Sequence, residues 1–424
     1  MGALGSLFSC ARGRILSALE EISELEGCEF PYRHSRDALL EIKQIFEVYQ
    51  ERLEQLNTLG EKAAPDLALT CSLSLRELFR CLPLLGFILR STAVRNAFEV
   101  FRPFLDILRK AIEPKIGKDE SQKRKLVLSS EWTYSPLIYH EIPVLPGYAF
   151  IGLPSSESDN PLLIPLSGHE LGHSVWTTYK MNLEFAPEFV KAIKDYIRNN
   201  WEEYRSHFPD VKKVELDTVL AVQQTWQQAQ SWLFAQAKET FCDFIGLRIF
   251  GTSFLHAYAY LFAPNVSSPR SVKYPNPIKR VQNLIAAAKD YKFKVPDDYE
   301  DMFRDRPLPE LTKGEKFQLS IADHILDSKV KILIKRAEEL MSKTDIPKPC
   351  ETKSDMICKR FKFVVPAQKA KSLADIINGA WKAYNNSELW KQLPKINEKK
   401  EDVLKDLVLK NIEIFTYEGL LENI

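Results

Sequence analysis

The sequence predicts a mainly α (α+β) protein in which a central segment with a few strands is flanked by helical N- and C-terminal regions. Three observations lead there. Apolar residues recur at helical spacing through much of the first 115 residues and again in the last third. Residues 126–154 gather β-branched and aromatic side chains between Pro and Gly. Between these regions, PLLIPLSGHELGHSVW and SWLFAQAKETFCDFIGLRIFG combine helical periodicity with His, Glu and Asp four residues apart. The expected division is 1–125 (helical), 126–300 (core) and 301–424 (helical).

Composition sets the bounds. A chain of 424 residues, with 45% apolar and 27% charged residues, has the balance of a globular protein and the length for more than one core. With 58 basic and 57 acidic residues the formal net charge is +1, so no global field selects nucleic acid or anionic membrane, and neither is an expected partner. The seven cysteines are scattered and never form C-x-x-C, which argues against a disulfide framework and a thiolate zinc site and fits a reducing cytoplasm. The apolar run at 81–89 is well short of the roughly 18 to 20 residues a bilayer span needs, so no transmembrane segment is expected. The start lacks the basic and apolar regions of a secretory signal. Gly2 and Ser6 fit the loose pattern for N-terminal acylation, a pattern common by chance.

In chain order, Leu39, Ile42, Ile45, Phe46, Tyr49, Leu53 and Leu56 mark an amphipathic helix over 35–56, with similar patterns at 73–89 and 93–112. These stripes are read as core packing. Residues 115–125 (KIGKDESQKRK) have the polarity of an exposed connection; acidic residues interrupt the basic ones and no aromatics interleave them, unlike a nucleic-acid patch. Breaks rich in Pro, Lys and turn residues follow at 305–316 and 342–355, and helical patterns return at 373–384 and 403–414. No internal repeat is visible.

The chemistry lies in His169-Glu170-Leu171-Gly172-His173. Two histidines four apart on a helix lie one turn from each other on one face, so both imidazoles can reach one ion. Glu170 then projects beside that ion, placed to take a proton from an activated water. A structural alternative is that Ser167 and Glu170 form a capping box. Gly168 and Gly172 each weaken a helix by roughly 1 kcal/mol relative to Ala, which structural pressure alone would not favour. Zinc requires a third protein ligand and an open position, and Glu239 on the later helix is the candidate. Asp243, one turn on, is placed to accept a hydrogen bond from a ligand histidine. The alternative for this pair is two exposed carboxylates on an ordinary amphipathic helix.

HELGH followed by Glu239-Thr-Phe-Cys-Asp243-Phe-Ile-Gly246 resembles the gluzincins, zinc metallopeptidases in which HExxH is completed by the Glu of an E-x-x-x-D helix. Tyr274-Pro-Asn-Pro-Ile-Lys-Arg280-Val resembles the H-P-x-x-x-x-R-[IL] element of the CAAX-processing type of peptidase and its bacterial relatives, with Tyr274 in place of the His. The resemblance spans about 148–284 and implies a zincin-like catalytic core with Zn2+ as cofactor. It also implies roles for Tyr274 and Arg280 at the active site and a peptide or protein as substrate. Tyr274 could donate to a developing oxyanion or simply pack beside the prolines. Arg280 could bind a substrate carboxylate or anchor the site through an acid such as Asp243, the preferred reading. In such enzymes an edge strand before the zinc helix pairs with substrate, a role open to Tyr148-Ala-Phe-Ile-Gly-Leu-Pro154, which could equally be a buried strand end. The long apolar helices of membrane-embedded relatives and the G-x-M-E-N strand of the clan's aminopeptidases are absent from this sequence. His140 and His256 read as packed or surface histidines, although His256 could line the cleft.

The expected activity is therefore zinc-dependent endopeptidase cleavage with Glu170 as general base. The competing readings are a zinc-stabilised, non-catalytic interaction protein and a latent peptidase released by a partner. Oligomeric state leaves no sequence signature.

Overall fold

A computed structural model describes residues 3–92, 98–131, 137–139, 144–157, 159–217, 219–263, 269–386 and 399–421. The acylation pattern at Gly2, and His140, lie outside the described residues. The protein is mainly helical with one small sheet, and its contacts divide it into two compact units. One takes Met1–Phe101 and Gln122–Asp159, the other Arg102–Ser121 and Asn160–Ile424.

In the first unit, helices α1 (Ala3–Glu26), α2 (Arg33–Thr58) and α3 (Ala64–Arg90) pack on one another. Burial follows the predicted stripe, since Leu39, Ile42, Phe46, Leu53 and Leu56 are all inside, because a helix that turns its charged residues to water must bury the opposite face. Strands β1 (Lys125–Glu131), β2 (Leu137–Tyr139) and β3 (Tyr148–Pro154) form a sheet in the order β1-β3-β2. Val127 and Phe150 join Ile42, Phe46 and Phe87 in a common core.

The expectation of an edge strand at 148–154 is corrected here. β3 is the central strand, parallel to β1 from Lys125↔Tyr148 to Glu131↔Pro154 and antiparallel to β2 through Leu137↔Gly152, Ile138↔Ile151 and Tyr139↔Phe150. Its ladder groups over Phe150–Gly152 are thus engaged on both sides. The run Tyr-Ala-Phe-Ile is the near-continuous apolar pattern of a strand covered by neighbours, whereas a half-exposed edge alternates.

The second unit opens with α4 (Phe101–Ile116) and the short α5 (Lys118–Gln122), except that the first residue of α4 and the last of α5 fall in the other unit. Gly117, at φ +85, makes the break between them within the expected connection. Then come α6 (Ser167–Thr178), α7 (Met181–Asn199), α8 (Trp201–His207), α9 (Leu220–Phe250), α10 (Thr252–Phe262) and α11 (Pro277–Asp290). The expected breaks at 305–316 and 342–355 bracket α12 (Lys313–Ser342), which a Thr312–Glu315 capping box starts. The chain ends with α13 (Glu351–Phe361), α14 (Leu373–Tyr384) and a last helix, α15 (Lys400–Leu421).

Helix α9 is the axis of this unit. It is buried at every position from Glu239 to Phe250, and α6, α7, α10, α11 and α12 all pack on it. Its end is fixed by Gly251, whose φ of +61 turns the chain, and by Asn378 of α14, which accepts from Ser253 N and donates to the Phe250 carbonyl. Among the described residues no helix is long and apolar enough to cross a membrane.

Candidate metal centre

Helices α6 and α9 carry the candidate ligands, and glycine lets them meet. A Cβ on Gly172 would stand 2.6 Å from Cys242 Cα, and one on Gly168 would stand 2.8 Å from a Phe250 ring carbon. On the α9 side, a Cβ on Gly246 would come within 2.9 Å of the His169 amide nitrogen. The helical cost of Gly168 and Gly172 therefore has a structural cause, contrary to the sequence-based expectation: backbone-to-backbone approach that no larger residue permits. Trp176, stacked on Phe185 and edge-on to Phe241, closes one end of the contact.

That approach brings four of the predicted residues together. His169 Nε2 lies 3.2 Å from Glu239 Oε2, and His173 Nε2 lies 3.8 Å from Glu239 Oε1. The imidazoles are nearly perpendicular, at 81°, with centroids 5.0 Å apart. Ligand atoms of His169, Glu170 and His173 all fall within 4.8 Å of one another, so this group can hold a metal ion. Glu239 is only 8% exposed and Asp243 only 1%, which removes the alternative of two solvated carboxylates. The capping-box alternative fails too: α6 is entered from a 3-10 turn, Leu166 is its N-cap, and no side chain caps it.

Asp243 is shared between a histidine and an arginine. His169 Nδ1 donates to its Oδ1 at 2.8 Å, while Arg280 grips it twice, Nε to Oδ2 at 2.6 Å and Nη2 to Oδ1 at 2.8 Å. The guanidinium also lies 5.3 Å from the ring centres of both Tyr258 and Tyr274. Arg280 is thus an anchor of the site through Asp243. Its expected partner was legible; Tyr258 of α10, which has no spacing signal relative to the motifs, was not. Tyr274 is 41% exposed at the rim, with one ring face toward Arg280. His256 stacks on Trp381 at 5.2 Å and belongs to the α10–α14 packing.

Electrostatics follow from burial and charge count. Burial pushes the Asp243 carboxyl up, but the charge and hydrogen bonds of Arg280, with the His169 hydrogen bond, more than reverse this and hold it low. Burial pushes His169 down, yet the hydrogen bond and charge of Asp243 and the hydrogen bond to Glu239 carry it to about 10. Burial raises Glu170 to about 7, His169 opposing and Glu239 reinforcing the shift. Burial, then the Glu239 charge, pushes Tyr274 up to about 12.

The donor set fits a divalent ion on two grounds. Two donors on a tetrahedral zinc with bonds of about 2.0–2.1 Å stand roughly 3.3 Å apart; the separations of 3.2 and 3.8 Å bracket that spacing. Glu170, Glu239 and Asp243 against Arg280 leave two negative charges when the imidazoles are neutral, the charge one divalent ion balances.

Compared with protein-family models, curated proteins and solved structures, the chain matches none.

Proposed function

We propose that this chain is a zinc-dependent endopeptidase with a zincin-like, gluzincin-type core, hydrolysing peptide bonds of a peptide or protein substrate. The observation that carries the reading is the convergence of His169 Nε2, His173 Nε2 and the Glu239 carboxylate, with Glu170 beside them. Zinc suits two imidazoles and a carboxylate, and these residues would hold it. A reducing cytoplasmic setting agrees with seven free cysteines.

When bound, such an ion supplies a Lewis acid for the scissile carbonyl and lowers the pKa of a water. Glu170 accepts the proton of the attacking water and returns it to the leaving amine. Asp243 holds the His169 ring by its Nδ1 hydrogen, and Arg280 holds Asp243. Tyr274, at the rim, offers a phenol hydrogen to the carbonyl oxygen of a substrate.

The reading is preferred to a non-catalytic scaffold because of Glu170. It is buried and makes no hydrogen bond among the described residues, so it carries a desolvation cost without structural return. A scaffold needs ligands but no such group.

The test is metal analysis beside hydrolysis of an unstructured protein. About one zinc per chain is expected. Glu170→Gln should keep the metal while hydrolysis falls by about 100-fold or more, and Glu239→Gln should lose metal. Undiminished hydrolysis in the first variant removes Glu170 from the mechanism; unaltered metal content in the second removes Glu239 from the ligand set.

A further inference from the structure

Charge is balanced over the whole chain but not along it. From Met356 to Ala374 there are five basic residues, Lys359, Arg360, Lys362, Lys369 and Lys371, and no Asp or Glu, in a protein of formal net charge +1. All five are exposed, and none forms an ion pair among the described residues. The acids nearby are engaged elsewhere. Glu351 and Asp355 of α13 both hold Lys382, and Glu418 of α15 accepts the backbone N–H of Lys369 at 2.9 Å. The end of α13 and the turn after it thus form a local cationic surface that the balanced total conceals.

The same segment exposes apolar side chains, and it holds them out firmly. Phe361 is fully buried, and Ala367 is buried with its N–H donating to Asn411 Oδ1 of α15 at 2.7 Å, so the turn between them is pinned at both ends. Between the pins Phe363 keeps 74% of its surface exposed and Val365 is exposed beside it, with Met356 exposed on α13. Val364, between Phe363 and Val365, has φ +54, a region that β-branched residues rarely adopt and that a turn ordinarily gives to glycine. A mere connection needs neither this strain nor an outward apolar pair. Strain of this kind persists only where the surrounding structure enforces it, and it gathers in segments with a function.

We propose that this surface docks on an anionic lipid bilayer, with Phe363 and Val365 entering the headgroup boundary and the five basic side chains meeting lipid phosphates and carboxylates. Charge complementarity and the apolar tip argue for it together: a bilayer takes in protruding apolar side chains while long cations keep their heads in its polar layer. Four of the five basic residues are lysine, a residue depleted where proteins bind one another. Single-stranded nucleic acid is the poorer fit, because Val365 and Met356 offer no ring for a base and one phenyl is not a stacking platform. Anionic lipids line the cytoplasmic leaflet, in agreement with a reducing setting. The inference concerns a face of the protein and does not rest on the peptidase reading.

The experiment is co-sedimentation of the full-length protein with vesicles of phosphatidylcholine alone and with vesicles that are one-third phosphatidylserine. The anionic vesicles should bind at least about 100-fold more tightly, and a triple variant, Lys359→Gln, Arg360→Gln and Lys362→Gln, should lose about fivefold per charge removed. Phe363→Ser should weaken binding about tenfold. A control triple, Lys313→Gln, Lys316→Gln and Lys331→Gln, removes the same charge from exposed positions of α12 and should bind as the unmodified protein does. All the substituted side chains are exposed, so the circular dichroism spectra should be unchanged. Equal binding to the two kinds of vesicle, or to neither, overturns the proposal, and so does a control triple that loses as much as the α13 triple. Full binding by Phe363→Ser removes the apolar wedge from it. Tighter binding of a single-stranded oligothymidylate than of the anionic vesicles, lost in Phe363→Ser, replaces the bilayer with nucleic acid.

Discussion

Asp243 is the residue that ties the candidate metal centre together, because it links His169 to Arg280. Oδ1 accepts from both His169 Nδ1 and Arg280 Nη2, and Oδ2 takes the Nε hydrogen of Arg280, whose side chain keeps only 11% of its surface exposed. Replacing it with asparagine removes the charge and leaves Arg280 buried without its counter-ion. We expect Asp243→Asn to weaken metal affinity about 10- to 100-fold, read by competition with a chromophoric chelator, and to lower unfolding stability by roughly 3–5 kcal/mol. Glu170→Gln in the same assay should bind metal as the unmodified protein does. If the two variants behave alike, the His169–Asp243 contact has no orienting role. Much of this was legible from spacing, since His169, His173, Glu239 and Asp243 each sit four residues from a partner on a helix. The sandwiching of Arg280 by Tyr258 was not, because Tyr258 comes from a helix with no fixed sequence offset to the others.

At the scale of elements, the site depends on how closely α6 and α9 approach. Gly172 faces Cys242 with no room for a Cβ, and the obstacle is backbone that cannot swing aside. Gly172→Ala should therefore destabilise by about 1–3 kcal/mol and lower metal occupancy, despite the better helix propensity of alanine. Gly13 of α1, with nothing within 4 Å of a built Cβ, is the control: Gly13→Ala should stabilise by up to about 1 kcal/mol. Thermal unfolding and metal content measure both, and a neutral Gly172→Ala would refute the close-approach account. Glycines that look like a helical weakness in one dimension are the reason the two helices can approach backbone to backbone in three. The same distinction governs β3: its existence was readable from its apolar run, its place between β1 and β2 was not.

For the whole molecule, the two compact units differ in what they carry. All the candidate ligands, with Asp243 and Arg280, belong to the unit formed by Arg102–Ser121 and Asn160–Ile424. Metal that binds only the folded state stabilises the unit that holds it, by about 4 kcal/mol when free metal exceeds its dissociation constant 1,000-fold. Scanning calorimetry with and without chelator should lower the transition of that unit and leave that of Met1–Phe101 with Gln122–Asp159 in place. Equal shifts of both transitions, or none, would count against a metal confined to the α6–α9 pair.

By itself, the sequence determined what local periodicity can encode: the helices at 35–56 and 373–384, the breaks around α12, and which side chains of α6 and α9 share a face. Those features depend on residues within one or two turns of each other, where 3.6-residue geometry leaves little choice. Only the tertiary structure decided that β3 is flanked on both sides, that Gly168 and Gly172 serve contact and not weakness, and that Tyr258 lies against Arg280. These depend on which distant segments meet, and the free energy of that meeting is shared among many apolar contacts, none of which leaves a spacing of its own in the chain.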